Sequence, residues 1–341
     1  MVIQSTFQAI LDLSLRVLSS RTFLEMIVFP GFLNVTLGAA FLVWLERKLI
    51  ARVQLRIGPL YAGMWGILQP VADGAKLLFK EMIFPELADA KILMLGALTL
   101  MLLALAPVAA IPFGEGFVIA DMSVGLFYVF AVLSLFPTVI LLIGWGSNSK
   151  YSFLGGLRSM FQQVAYEVPM WISTLGIVML TGTLNLTEIV RAQQKVWFIV
   201  PEILGFAVFF IAVLAELERV PFDLPEAESE LVTGWMTELS GVAFMMAFLA
   251  MYTKLYAMSA LITVLFLGGW AGPSMIPQPV WFLAKTFLVA SVMVIIRGTF
   301  PRVRVDLLLK AAWGKLLLLA LANIFVTVGL IGFGLDGIWR V

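Results

Sequence analysis

Neither cysteine nor histidine occurs among the 341 residues. Without thiolate or imidazole the chain lacks the usual ligands of iron–sulfur clusters, haem, zinc and copper, so a conventional redox metal is excluded, as are disulfides. Charge is scarce too: 13% of residues are Asp, Glu, Lys or Arg, where a water-soluble domain carries about 25%. With 62% hydrophobic residues and a mean hydropathy of +1.04, the chain belongs in a bilayer. The opening residues, MVIQSTFQAILDLSLRVLSSR, lack the charged start, apolar run and cleavage site of a signal peptide and read as a mature, amphipathic segment.

Long apolar runs are what the sequence does have. A spanning helix needs about 20 mostly apolar residues, and eight windows qualify: 26–45, 92–113, 124–145, 168–187, 197–216, 240–264, 279–296 and 316–335. A closed barrel would show alternating segments, whereas ILMLGALTLMLLALAPVAAIPF is continuous. The expectation is an all-α integral membrane protein: one polytopic domain over 1–341, about eight transmembrane helices, and interfacial amphipathic helices in the cytoplasmic connections. Glu202 falls near one end of the fifth window and Lys285 inside the seventh. Pro107 and Pro137 should kink their spans. Residues 46–91, 146–167, 216–239 and 297–315 carry fifteen Lys or Arg, against five in the termini and opposite loops. The positive-inside rule puts those stretches in the cytoplasm and both termini outside.

Three cytoplasmic stretches are unlike plain connectors. Trp44 to Glu81 mixes Leu77, Leu78 and Phe79 with Arg47, Lys48, Arg52, Arg56, Lys76 and Lys80. It should lie partly in the interface, where snorkelling bases alone would account for Arg52 and Lys80. Paired charges would account for Glu46, Asp73 and Glu81. The second, residues 147–169, has Gly155 and Gly156 for a tight turn and brings Gln162, Gln163, Tyr166 and Glu167 to the membrane boundary, Glu167 as a helix cap or a proton-handling group. The third gathers Glu216, Glu218, Asp223, Glu226, Glu228, Glu230 and Glu238 around the single base Arg219. Acids so crowded beside a low-dielectric slab should hold exchangeable protons. The apolar residues among them, from Val220 to Trp235, serve no purpose in a solvated loop.

GILQPVADGAKLLFKE at 66–81 and PFDLPEAESELVTG at 221–234 resemble the signature segments of the H-subunit family of respiratory complex I, the membrane component bordering the quinone chamber. Glu46-Arg47-Lys48, Arg56-Ile57-Gly58-Pro59, Phe161 to Glu167, Arg297 and Pro301 to Asp306 extend the resemblance over essentially the whole chain. It implies a subunit of a proton-pumping NADH:quinone oxidoreductase that binds no cofactor alone. The quinone, or a similar lipid-soluble acceptor, would occupy a shared site, with iron–sulfur clusters and the donor-oxidising cofactor in partners. Those partners would be the peripheral-arm iron–sulfur and quinone-site subunits, other membrane-arm subunits including antiporter-like ones, and lipids, with no nucleic acid and no metal on this chain. Family matching assigns Arg47, Lys48, Arg56, Phe222 and Asp223 to the quinone chamber. It assigns Glu167, Glu216, Glu226, Glu228, Glu230 and Glu238 to proton coupling, and the acidic run adds Glu218 and Asp223 to that set. Glu46, Asp73, Lys76, Arg297, Arg302, Arg304 and Asp306 would anchor that network or dock the peripheral arm.

The chain departs from the family pattern at Glu218, where Asn is common, at Leu217 for Thr, at Leu307 for Gln, and at Met251, where a buried glutamate is expected, with Lys254 three residues on. The third span contains no acid. The alternatives are the equivalent subunit of a membrane-bound hydrogenase or of a ferredoxin- or deazaflavin-linked relative, a stand-alone ion transporter, and a structural anchor.

Overall fold

A computed structural model describes residues 21–225, 228–273 and 275–339. The segment 1–20 and Glu226 lie outside the described residues. Helix accounts for nearly all the regular structure, with no strand among the described residues. In chain order the helices are α1 (Arg21–Ile27), α2 (Phe32–Val53), α3 (Gln69–Phe79), α4 (Ala90–Leu105), α5 (Gly125–Leu133), α6 (Phe136–Gly146) and α7 (Lys150–Thr181). There follow α8 (Leu186–Ala192), α9 (Ile203–Glu216), α10 (Glu228–Leu231), α11 (Gly241–Phe266), α12 (Gln278–Thr299), α13 (Val305–Lys310) and α14 (Leu317–Gly332).

Among the described residues seven helical segments are long and apolar enough to cross a bilayer: Leu24–Val53, Ala90–Ala110, Gly125–Gly146, Lys150–Thr181, Gly241–Phe266, Gln278–Thr299 and Asp306–Gly332. The fifth expected window differs, because its helix, α9, starts only at Ile203 and has 14 residues, short of the ~20 a full span needs. Capping sets several boundaries. The Asp89 carboxylate accepts from the Lys91 and Ile92 amides at the start of α4, Asn185 does the same for α8, and Gly182, left-handed at φ 73°, ends α7. The third span breaks at Ser134–Leu135, so Pro137 sits in the first turn of α6, where its missing N–H costs no bond. At Pro107 the helix tightens into the 3₁₀ turn Ala106–Ala110.

The second of the three stretches, residues 147–169, does not turn at its glycines. It is helix from Lys150 onward, and α7 runs 32 residues through Pro169. Gly155 and Gly156 do not turn the chain but let other backbone in: a Cβ on Gly155 would lie 2.7 Å from the Trp235 nitrogen, and one on Gly156 3.3 Å from the Ile140 carbonyl oxygen. In lipid, where apolar burial does not drive helices together, such close approach is a main source of packing energy. Helix α11 runs through the middle, against α2, α3, α4, α8, α9 and α12. Its first half puts Ala243, Ala247 and Ala250 in a cluster with Leu93, Leu100, Ile143 and Trp235. Its second half, Tyr252 to Phe266, is buried among α2, α5, α7, α9 and α12. That central helix therefore carries any polar residue it has deep into the protein.

Gly155→Ala should lower stability by about 1–3 kcal/mol, because the methyl must push two backbones apart. Gly74→Ala, with nothing within 4 Å of the new methyl, should leave stability unchanged or slightly raised. Thermal unfolding of the two variants in detergent checks the contrast.

Candidate functional site

The chain leaves α9 at Glu216 and folds back into the protein. Glu218 adopts a left-handed backbone, φ 53°, and the turn is tied to α7 by Gln162, whose amide nitrogen donates to the carbonyls of Ala215 and Phe222, both at 2.7 Å. Tyr166 packs its ring 5.5 Å from that of Phe222 and donates its hydroxyl to the Leu308 carbonyl. From the far side the Val303 amide donates to the Pro221 carbonyl at 2.9 Å. Glu216, Glu218 and Asp223 are thereby buried, at 3%, 4% and 6% exposure.

Glu216 meets Lys254 of α11. The ammonium donates to Glu216 Oε1 at 2.8 Å, to the Glu216 carbonyl at 2.9 Å and to Gln163 Oε1 at 2.9 Å, and lies 4.3 Å from the Phe136 ring centre. Glu218 accepts from Gln163 Nε2 at 2.7 Å and from the Ser159 hydroxyl. A cavity with about 10 Å³ of free space lies among Gln163, Glu216, Glu218, Met251 and Lys254, room for about one water. Glu216 Oε2 is buried with no hydrogen-bond partner. Met251 brings only a thioether to this cavity.

Next along the chain, Arg219 turns the other way and donates to both oxygens of Glu46, each at 2.8 Å, its guanidinium 4.7 Å from the Tyr252 ring centre. Arg297 donates to the same carboxylate, so one acid of α2 joins two bases. Arg302 reaches Asp223 Oδ2 at 3.1 Å while Oδ1 stays buried and unpartnered. Burial pushes the Asp223 carboxyl up to about 6; Arg302 opposes the rise, Glu218 adds to it and Arg219 again opposes.

The remaining candidates lie apart from this pair of clusters. Arg47 pairs with Asp73 at 2.6 Å, and Asp73 also accepts from Gln69. Lys48, Arg52 and Arg56 line a groove of about 500 Å³ walled by Trp44, Leu45, Leu49, Ile57, Leu60 and Trp65. Glu230 is more than half exposed and pairs with Arg158 at 2.5 Å. Lys76 is exposed and Glu238 half-buried, and Arg304 meets Asp306 in the open at 3.4 Å. Glu228 opens α10. Glu167 is half-buried beside a groove of about 490 Å³ between α5 and α7 whose other walls include Phe127, Phe130 and Trp171. Among the described residues no three Asp or Glu gather as a metal ion would need.

Besides Arg219 and Lys254, two buried charges were not among the expected site residues. Glu202 is fully buried, with no basic partner among the described residues, and accepts from Asn323 and, at 2.6 Å, from Thr327. Lys285 donates to the carbonyls of Leu267, Gly269 and Ala271 at 2.6–3.0 Å, closing the end of α11. Each was visible as a charge in an apolar window. The partners of Lys254 were not, since Gln163 stands 91 residues away.

A family model described as NADH dehydrogenase matches residues 26–328. A protein of Brevibacillus brevis, named as the H subunit of NADH-quinone oxidoreductase, is 48% identical over 306 residues, 88% of this chain and 91% of that protein. Proteins of the same name from Rhodospirillum centenum and Dehalococcoides mccartyi are each 45% identical, over 87% and 89% of this chain and 90% and 84% of their own lengths.

Asp223 supplies a test. Its carboxyl in the folded protein sits above the ordinary 3.8, so the stability it contributes is complete below about pH 4 and is lost as pH rises through about 6. Asp223→Asn should flatten the fall in thermal midpoint over that interval, measured on purified protein in detergent.

Proposed function

The chain belongs to the NADH dehydrogenase family, among the proteins named as the H subunit of NADH-quinone oxidoreductase, and from that premise we propose that it borders a quinone chamber and couples quinone reduction to proton translocation. It is a multi-pass membrane component of a multi-subunit oxidoreductase. On this reading it is one polytopic domain with both termini outside, in an energy-transducing membrane of prokaryotic type. It works beside peripheral-arm subunits that hold the iron–sulfur clusters and membrane-arm subunits that include antiporter-like ones.

The observation that carries the proposal is the burial of Glu216, Glu218 and Asp223 among bases: Lys254 holds Glu216, Arg302 holds Asp223, and Arg219, next to Glu218 in the chain, holds Glu46 of α2. Quinone reduction takes up two electrons and two protons, and negative charge precedes the protons. The groove at Trp44, Lys48, Arg56 and Trp65 suits such a substrate: apolar walls take an isoprenoid tail, and the bases stabilise developing anionic charge. From there α2 leads inward, because Glu46 on its other face holds Arg219, whose neighbour Glu218 lies in the lysine cluster. Charge appearing at the groove end is thus conveyed through paired ions to carboxylates that respond by binding or releasing protons.

Glu216→Gln should lower acceptor-dependent turnover and proton pumping by about tenfold or more while the protein still assembles. Turnover and proton yield are read in proteoliposomes holding the intact complex. Wild-type values of both would overturn the proposal.

A further inference from the structure

Lys254 spends all three of its ammonium donors inside the protein, on Glu216 Oε1, the Glu216 carbonyl and Gln163 Oε1. The third contact reaches further than it looks. An amide that turns its oxygen to an ammonium must turn its nitrogen away, and Gln163 Nε2 then meets Ser159 at 2.9 Å and Glu218 at 2.7 Å. The lysine therefore holds Glu216 directly and Glu218 through one amide. Among the described residues, the ionisable groups facing it are Glu216 and Glu218 at the end of α9 and, acting at longer range, Glu167 of α7. From α4 and α6 come only Leu100, Phe136 and Ile140, and from the turn after α10 comes Trp235. With every group ionised, the two paired carboxylates exceed the ammonium by one negative charge, which one proton cancels. Buried charge is expensive to leave unbalanced, and the adjoining cavity and unpartnered Glu216 Oε2 give that proton a place to move.

We propose that Lys254 is a positioning residue that fixes Glu216 and Glu218 as a pair sharing one exchangeable proton and sets the pH at which that proton leaves. The inference rests on the reading above, that these acids take part in proton movement. Its test uses the intact complex in proteoliposomes, with turnover and pumping expressed per assembled complex across pH. Lys254→Met removes the positive charge, so the acids ionise less readily, and the acidic limb of both profiles should move to higher pH by about one unit or more. Lys254→Arg keeps the charge and should hold the limb near its wild-type position. An unmoved limb in Lys254→Met overturns the inference, as does a limb that moves equally in both variants. Should Lys254→Met not assemble, Lys254→Gln, which removes the charge but keeps an amide donor for Glu216, is read in the same way: a limb moved to higher pH supports the inference, and an unmoved limb overturns it. Glu216→Gln alone separates the two claims. If that variant pumps normally the proposed function itself fails, whereas loss of pumping there with an unmoved limb in Lys254→Met defeats only the role of the lysine.

Discussion

A charge taken out of water must be met by an opposite charge or by enough hydrogen bonds, and the fold is organised by meeting that demand at a few points. Glu46 draws Arg219 and Arg297 to α2, which brings together α2, α12 and the turn after α9. Lys254 locks α11 to the end of α9 and, through Gln163, to α7. Arg302 holds the stretch after α12 against Asp223. Between helices in lipid, apolar burial selects no particular register, because lipid tails satisfy a leucine as well as another leucine does. The ion pairs and amides select it instead: a slip of one turn would leave buried charges unmatched, at a cost of several kcal/mol each.

Small residues make those polar links sterically feasible. A Cβ on Gly176 would lie within 3 Å of the Glu202 carboxylate, and one on Gly205 2.8 Å from the Asn323 amide nitrogen. Glycines on α7 and α9 thus open the space in which Glu202 is satisfied by Asn323 and Thr327 of α14. Gly38 likewise admits the Tyr256 ring, whose hydroxyl accepts from Asn34 at 3.1 Å. Packing and polar satisfaction are the same feature in these places, since the glycine that allows contact also shapes the pocket for the side chain.

The spans were legible because hydropathy needs no tertiary information, and among the described residues every window but the fifth overlaps a helical segment long and apolar enough to cross a bilayer. Where the reading failed, a residue type had two physical uses. Gly155 and Gly156 serve a turn or a close helix contact equally well, and only their neighbours decide between them: Gly234 and Trp235, some 80 residues on, for Gly155, and Ile140 for Gly156. The fate of the acids was similarly hidden. Glu218 and Glu230 belong to one acidic run, yet the first turns inward on a left-handed residue and the second meets Arg158 at the surface. No periodicity separates them, because the segment is largely irregular. Lys254 stood out as a base within an apolar helix, but its meaning depended on partners in α9 and α7 that spacing alone does not identify.

The charged cluster around the turn after α9 is not simply acidic. Glu46, Glu216, Glu218 and Asp223 are balanced in number by Arg219, Lys254, Arg297 and Arg302, but not in depth. Side-chain exposure is 31% for Arg297 and 40% for Arg302, against 4%, 3% and 8% for Glu46, Glu216 and Asp223. Two of the four bases, Arg297 and Arg302, therefore lie toward water, while Arg219 and Lys254 are buried with the acids, Lys254 deepest. Solvent screens the outer bases far more than the inner acids, so the effective field at the cavity is more negative than the count suggests. On the proposed coupling, that asymmetry lets a negative charge arriving near α2 act inward: screening is weak along the buried pairs, and the carboxylates at the end of α9 are the groups able to answer with a proton.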